Sequence, residues 1–576
     1  MDKPAMYHQA HGKYAYPVGA ETLRVMLRVK KGDVHSVTVV YSDRYQAEPA
    51  YTQTMELAAQ DELFDYYQAD LTLKTKSFRY MFWLDDGVDQ TFMTEKGFFS
   101  DPPDNTEYQY PYIAPRDLWE PPQWAQGALV YEIFAERFAN GDPTNDPEDV
   151  EDWEKLPTTE SMKGGDLKGI LEKLDHIVDL GVEVLYLTPI FVSPSNHKYN
   201  ITDYYHIDPQ FGDLADCRAL VEACHARGIR VMFDAVFNHC GYEFFAFQDV
   251  LKNGRQSPHW DWFAIEDTPI TTDPPNYLTF ANNFWNMPKL MTQNPEVRQY
   301  LLGVAEYWIR ECDIDGWRLD VPNEVDHEFW REFRQRVKKI KPDALIIGEL
   351  WHEASEWVQG DQFDAVMNYP FFEAVTDWLG KDTIRAASFA ERLAKVQMNH
   401  RQVVNLAMYN LIGSHDTARF LTVAQGNRKK LRLAAGLMMT YEGAPMIYYG
   451  DEVGMEGEND PDCRRGMLWG SQKQDQELLQ WYKKLAVLRR QYPVLKTGHC
   501  RTVWADGISN VFGFTRFDEQ QQLLVLMNNS AQQRTVKLTD KLWPQDAPKQ
   551  VRDLLTGATS NGSVTLEPLT MTILQG

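Results

Sequence analysis

GWRLDVPNE, residues 316–324, sets an arginine and an aspartate two positions apart in an otherwise apolar run, with a glycine just before them. Residues two apart on a strand point to the same face, so Arg318 and Asp320 share one side of a strand that reads as buried. The runs around this stretch settle its setting. ALVYEIF (128–134), VEVLYLTPI (182–190), RVMFDAV (230–236), ALIIGEL (344–350), AVMNYP (365–370), NLIGSHD (410–416) and APMIYYGDE (444–452) are short and apolar in the same way, and helical patterns lie between most of them. One such helix starts at NPEV, where Val297, Leu301, Val304 and Trp308 fall on a single face. Eight strands with intervening helices predict an α/β chain folded as a (β/α)8 barrel.

Outward from the barrel the grammar changes. Between residues 20 and 100 the pattern is period-two, with Leu23, Val25, Leu27 and Val29 alternating with more exposed positions and a hairpin signal at Asp86-Gly87. This predicts an N-terminal β-sandwich, followed by a linker over the proline- and aspartate-rich residues 101–124. After the third barrel strand, the interval 239–293 is too long for a simple loop and reads as an inserted domain. Alternation returns in SNVFGFTRF (509–517) and LLVLMNN (523–529), which predicts a C-terminal antiparallel β domain. The expected division is 1–124, 125–497 and 498–576.

Composition excludes several functions. The chain has 576 residues, 43% hydrophobic, with a formal net charge of −25. Such an acidic balance argues against nucleic acid as a partner. No apolar run is long enough for a membrane span or a secretory signal, so a cytoplasmic protein is expected. The six cysteines show no CxxC spacing and read as buried thiols.

Catalytic groups of such barrels sit at the C-terminal ends of the strands. There stand Asp234, Asn238 and His239 after strand three, Arg318 and Asp320 on four, Glu349 on five, and His415 and Asp416 on seven. An aspartate at a strand end is often just a helix cap; acids from three strands converging on one mouth are a different pattern. Arg318 can hold Asp320 ionised while Glu349 stays protonated in apolar surroundings. Two carboxyl groups with opposite proton tasks suit glycosidic bond cleavage with retention, for which they stand about 5 Å apart. Tyr199 and Trp351 are candidate aromatic platforms for a sugar ring, though either taken singly reads more readily as core. A metallohydrolase fits less well: HxH and HExxH are absent, and Arg318 would set a cation against the metal. Neither a P-loop nor GxGxxG occurs.

Together VEVLYLTPI, DAVFNH, MPKL, GWRLDVPNE, GELWH, IGSHD and APMIYYGDE resemble the ordered signature regions of the α-amylase family, glycoside hydrolase family 13. The resemblance implies Asp320 as nucleophile, Glu349 as acid/base and Asp416 as the acid that holds sugar hydroxyls. Arg318, His239, His415 and Asp234 would complete the subsite around the ring under attack, with Tyr199 stacking beneath it. MPKL, NEVDHEFWREFR and the N-terminal β domain are similar to the neopullulanase, cyclomaltodextrinase and maltogenic amylase group, whose members act on short α-glucans, cyclodextrins and pullulan, some with transglycosylation. DPDCRRGM resembles a motif that implies sugar contacts from Asp460 and Arg464. The sequence departs from the group at Pro322, Met291 and Gly466, where alanine, asparagine and proline are usual, and Pro322 adjoins the acceptor side of the cleft.

RFANGDPTNDPED and GGD supply Asn140, Asp142, Asn145, Asp146 and Asp166. By composition they form an Asx-rich turn; the resemblance implies a structural Ca2+ site, with a backbone oxygen near Gly164. It also implies a homodimer in which the N-terminal domain narrows the partner's cleft. YSDRYQAEPAYTQ (41–53) and YMFWLDD (80–86) read as exposed aromatics for that contact, and a starch-binding role, which the domain's resemblance to the group's starch-binding-like module also implies, would use such aromatics as well. Relatives of the family that bind without catalysis lack one or more of the acids; here all three are present.

Overall fold

Strand β4, Gly316–Leu319, pairs in parallel with β3, Arg230–Ala235, on one side and with β5, Leu345–Gly348, on the other. In this computed structural model, which describes residues 1–46 and 50–576, the sheet continues through β2 (Val184–Leu187), β1 (Val130–Ile133), β8 (Ala444–Tyr448) and β7 (Tyr409–Leu411), and beyond β5 to β6 (Ala365–Val366). A parallel bridge between Met367 and Tyr409 joins β6 to β7 and closes the eight strands into a barrel. Every residue of these strands is buried except Arg230 at the start of β3, as expected of a parallel sheet covered by helices. The residues that begin the quoted stretch explain themselves here. A Cβ on Gly316 would lie 2.2 Å from the Leu345 carbonyl, so only glycine lets β4 and β5 approach at that point.

The helix expected from NPEV runs Pro295–Cys312, capped by Asn294, whose side chain accepts from the Glu296 N–H. Val297, Leu301, Val304 and Trp308 are all buried against the barrel. The insertion between β3 and this helix holds the helix Phe245–Asn253 and irregular chain, and docks by Phe247, Trp262, Phe263 and Tyr277.

The N-terminal domain is a sandwich of a four-stranded and a six-stranded antiparallel sheet. Leu23, Val25, Leu27 and Val29 face its core as the alternation predicts. Three expectations are corrected. Met26, on the other face of the same strand, is also buried, because with Tyr14 and Tyr66 it packs on Met398 of the barrel helix Ala386–Met398. Tyr80 and Phe82 of YMFWLDD are core residues, their strand being central to its sheet, so they present no exposed surface. The segment read as linker contributes Tyr108–Tyr110 as a strand paired with Phe78–Tyr80, an alternation masked by its prolines and aspartates. Of 41–53, Tyr45 and Tyr51 are exposed, and residues 47–49 lie outside the described ones. The C-terminal domain is a six-stranded antiparallel sheet with a two-stranded companion, entered at His499 after the helices Gln476–Gln491 and Val494–Thr497.

Candidate active site

Register brings the charges together. Asp234 on β3 is the Cα partner of Arg318 on β4, and Leu319 is the partner of Gly348 on β5, so Asp320 and Glu349 stand one residue beyond paired positions on adjacent strands. Neighbouring strands lie about 4.8 Å apart. The Arg318 guanidinium is fully buried and serves three acids: Nη1 is 3.0 Å from Asp234 Oδ2 and 2.9 Å from Asp320 Oδ1, and Nη2 is 2.9 Å from Glu349 Oε2. The Glu349 contact is an ion pair without hydrogen-bond alignment, since Nη2 makes no hydrogen bond among the described residues. The second oxygen of Asp320, Oδ2, is buried and has no partner among the described residues. Glu349 accepts from the Val321 N–H at 3.2 Å and from Trp351 Nε1 at 3.2 Å.

Val321 presents that N–H from a left-handed backbone, φ 43° and ψ 47°. This is a conformation a β-branched residue adopts at a cost of about 1–3 kcal/mol. Pro322 follows as the first residue of a short turn, its carbonyl accepting from Trp330 Nε1 at 2.9 Å, which fixes the loop beside both acids.

On the other side of the mouth, Tyr199 and His415 lie ring on ring, 11° apart in plane, with the Tyr199 hydroxyl 2.7 Å from His415 Nε2 and 3.0 Å from Asp234 Oδ2. His239 Nε2 reaches the Tyr199 carbonyl at 3.1 Å. Asp416 lies 3.2 Å from His415 Nε2 and 3.2 Å from Arg464 Nη2, and Arg464 in turn pairs with Asp460 at 2.9 Å. Trp351 is half exposed and stacks on Tyr369 with centroids 3.7 Å apart. The eleven residues singled out for catalysis and substrate therefore form one connected set.

The electrostatics differ from acid to acid. Burial pushes Asp320 and Glu349 up, Arg318 opposing in both cases, and the neighbouring carboxylates add to the rise. So packed a pair titrates as a unit and holds a proton more readily than separate carboxyls would. Asp416, its side chain 30% exposed, is pushed up by the burial it has, yet His415, Arg464 and Arg318 outweigh this and hold it below the usual carboxylate range. Burial lowers His415, but Asp416 and Glu132 outweigh it and raise the imidazole above its ordinary value. Burial takes His239 down to about 3, so it is a neutral ring.

Several participants escape sequence reasoning. Glu132, the third residue of β1 and fully buried, accepts from His415 Nδ1. Tyr186 on β2 donates to Asp234 Oδ2 at 2.6 Å. Tyr369 carries Trp351. For Glu132 and Tyr186 the local signal was a lone acid or hydroxyl in an apolar strand, at positions that pair across β1 and β2; Tyr369 opens the helix Tyr369–Val375 and carried none.

The Asx-rich loop lies apart from these residues. Asp166 caps the helix Leu167–Glu172 and uses both oxygens on N–H groups: Oδ1 accepts from Gly169 and Gly141, Oδ2 from Asp142. Asp142 is taken up by Thr144 and Lys168. Asn140 and Asn145 differ: both amide oxygens are buried without a partner among the described residues. Asp146 Oδ1 accepts from Asn140 Nδ2 at 2.7 Å, and burial raises its carboxyl. Gly164 packs so close that a Cβ would fall 2.3 Å from Asp146 Oδ1. Orphan amide oxygens, a carboxylate and an adjacent backbone fit a hard cation such as Ca2+.

A parallel barrel with two carboxyl groups on one guanidinium defines a class, the barrel glycoside hydrolases. Residues 132–473 match the model of the alpha amylase catalytic domain and residues 1–114 that of the alpha amylase N-terminal ig-like domain. The chain belongs to the α-amylase family. It is 50% identical over 95% of its length to a cyclomaltodextrinase of Thermoanaerobacter pseudethanolicus, of which 96% is covered. With neopullulanase 2 of Thermoactinomyces vulgaris it shares 47% over 99% of this chain and 98% of that one. A solved cyclomaltodextrinase structure superposes with a TM-score of 0.95 at 42% identity, each chain covered completely.

Proposed function

We propose that this enzyme is a retaining hydrolase of α-1,4 glucosidic bonds in cyclodextrins, maltooligosaccharides and pullulan, with α-1,6 cleavage and sugar transfer as further outcomes. One observation carries the reading: a single buried guanidinium touches both Asp320 and Glu349 and leaves Asp320 Oδ2 free. Asp320 Oδ2 attacks the anomeric carbon as the bond to the leaving oxygen breaks, and Glu349 gives that oxygen its proton. Arg318 donates to Asp320 Oδ1, so the proton shared by the pair rests on Glu349. The ionised Glu349 then takes a proton from water, or from a sugar hydroxyl, and the incoming oxygen displaces Asp320. Two displacements leave the α-configuration in place. Asp416, kept ionised by His415 and Arg464, accepts from hydroxyls of the ring under attack, with Tyr199 at that ring's face. Asp234, His239 and Asp460 hold these groups in position. Trp351, stacked on Tyr369, offers the acceptor side an aromatic face.

Ca2+, where bound, would be held by Asn140, Asn145, Asp146 and the Gly164 backbone, and would supply cross-linking of the first barrel loop. The six cysteines are all free and buried, in keeping with a cytoplasmic protein. Among the described residues no helix is long and apolar enough to cross a membrane. A homodimer through the N-terminal domain rests on exposed Tyr45 and Tyr51. Light scattering on Tyr45→Ser and Tyr51→Ser tests it better than truncation, which would bare the barrel face now covered by Tyr14, Met26 and Tyr66.

The deciding experiment is proton NMR of the anomeric signals during early hydrolysis of maltotriose. The expected first product is the α-anomer; an initial β-product would overturn the retaining mechanism, and no turnover at all would favour a carbohydrate-binding role.

A further inference from the structure

Two of the six free cysteines meet. Cys217, near the start of the helix Leu214–His225, and Cys312, the last residue of the helix Pro295–Cys312, bring their Sγ atoms to 3.2 Å across the packed helices. Other thiols turn to oxygen instead: Cys240 donates to the Pro288 carbonyl at 3.7 Å and Cys463 to the His415 carbonyl at 3.3 Å. Among the described residues no other two cysteines are in contact.

The pair is buried, 1% and 3% exposed, but lies just under the surface, since Asp216, Arg218 and Asp313 beside it in the chain are all exposed. Arg218 joins the same two turns from outside: its Nε donates to the Glu311 carbonyl at 2.7 Å and its guanidinium pairs with the Glu311 carboxylate. An ion pair so open to solvent holds two helices together only weakly. Asp313, in left-handed backbone at φ 53°, ends the second helix directly after Cys312. Sulfurs in a disulfide stand about 2.05 Å apart, so bond formation asks for an approach of about 1.2 Å, shared between two side chains and a terminal turn free to fray.

We propose that Cys217 and Cys312 are a modification site, at which a hydroperoxide forms a reversible disulfide that ties the two helices together and stabilises the barrel. One cysteine, as its thiolate, attacks a peroxide oxygen; the O–O bond breaks, a sulfenic acid forms, and the departing hydroxide takes up a proton to become water. The second thiol then displaces the hydroxyl from the sulfenic sulfur, and that hydroxyl leaves as a second water with the thiol's proton. Two thiols and one peroxide thus give one disulfide and two waters, two electrons passing from sulfur to oxygen. The hydrogen bond to Cys312 and burial push the Cys217 thiol up, so little of it is thiolate at neutral pH, and oxidation quickens as the pH rises. In a reducing compartment the pair stays open, and a shift to oxidising conditions closes it. The closed loop spans 95 residues and takes in β3, with Asp234, and the whole insertion 239–293. Tying its ends restricts the unfolded chain, and for a loop of that length in a chain of this size the expected rise in Tm is about 4 °C.

The test treats the full-length protein with hydrogen peroxide at pH 8.5, then counts thiols in denaturant and maps peptides by mass spectrometry without reduction. The count is expected to fall from six to four, dithiothreitol to restore it, the map to show one cross-linked peptide joining Cys217 to Cys312, and Tm to rise by about 4 °C. Cys312→Ala should show neither cross-link nor rise; the peptide map of the wild-type chain decides the matter even where that variant fails to fold. An unchanged thiol count, oxidation to sulfinic or sulfonic acid without a cross-link, a disulfide between other cysteines or between chains, or a Cys217–Cys312 link that leaves Tm where it was would each overturn the proposal.

Discussion

Replacing Glu132 by glutamine keeps the shape of β1 and removes one negative charge from His415. The side chain is fully buried, and its carboxylate is one of the two groups that raise the imidazole. A hydrogen bond to a charged partner contributes about 1.5–3 kcal/mol and a neutral one about 0.5–1.5 kcal/mol, so the exchange costs about 1–1.5 kcal/mol. At 1.36 kcal/mol per unit, His415 should lose about one unit of proton affinity. The sign follows from linkage. A histidine raised in the fold adds stability that is complete below its unfolded value, about 6.5, and fades as pH climbs through the folded value. Glu132→Gln should therefore lower Tm at pH 5.5 and differ less from wild type at pH 9. Once His415 is neutral, Asp416 loses a cation 3.2 Å away, and kcat/KM on maltotriose should fall about tenfold at neutral pH, with the loss shrinking as the pH drops. The assay is a pH–rate series together with NMR titration of the His415 ring signal, assigned by its disappearance in His415→Asn. An unchanged His415 titration with an unchanged upper limb would refute the reasoning and leave Glu132 a packing residue.

Other outcomes follow from the same geometry. Asp320→Asn and Glu349→Gln should each cut turnover by about three orders of magnitude or more with Tm retained; added azide should rescue the Asp320 variant to a product of inverted configuration, and activity above about a tenth of wild type in either would remove that residue from its role. Chelation should lower Tm while room-temperature activity persists, since a site at a hundredfold excess over Kd adds about 2.7 kcal/mol; Asn140→Ala should abolish that response, and a melt indifferent to chelator would leave only an Asx turn. Val321→Gly exchanges relief of a left-handed conformation for added chain entropy, so Tm should change little, while kcat falls about tenfold as Glu349 loses a fixed N–H donor; unaltered kcat would show that the conformation is not needed for catalysis.

The barrel was legible because each of its strands is a short apolar run bounded by helical periodicity, a pattern that does not depend on partners. The acids of β4, β5 and β7 were legible for a related reason: Asp320 and Glu349 stand immediately after their strands and Asp416 five residues beyond the end of β7, so position after a strand places them at one mouth. Glu132 and Tyr186 were not, because each lies inside a strand and matters only through a side chain on another one. Met26 fails for the same cause. Its strand has a textually polar outer face, and nothing local says that a helix more than 350 residues later will cover it. Tyr108–Tyr110 pairs at a sheet edge, where three residues give too short an alternation to stand out from prolines. The Asx loop shows the converse case: five oxygen-bearing residues look equivalent in sequence, while backbone N–H groups engage Asp166 and leave the Asn140 and Asn145 oxygens free.

The covering of the helix Ala386–Met398 by the N-terminal sheet has a consequence for synthesis. The contacts Lys13 to Asn399, Arg24 to Gln402 and Lys31 to Glu391 span 386, 378 and 360 residues. Domains fold as units during translation, N-terminal first, at about 5–20 residues per second, so a sandwich complete at residue 114 waits roughly 14 to 58 s for the segment it will meet. Throughout that interval Tyr14, Met26 and Tyr66 form an uncovered apolar face on a nascent chain. The segment that finally covers them lies between β6 and β7, where a single bridge completes the cylinder. The first domain made is thus a preformed clamp for the segment that joins β6 to β7, and conditions that slow elongation prolong the time during which its sticky side is open to chaperones and to other ribosome-bound chains.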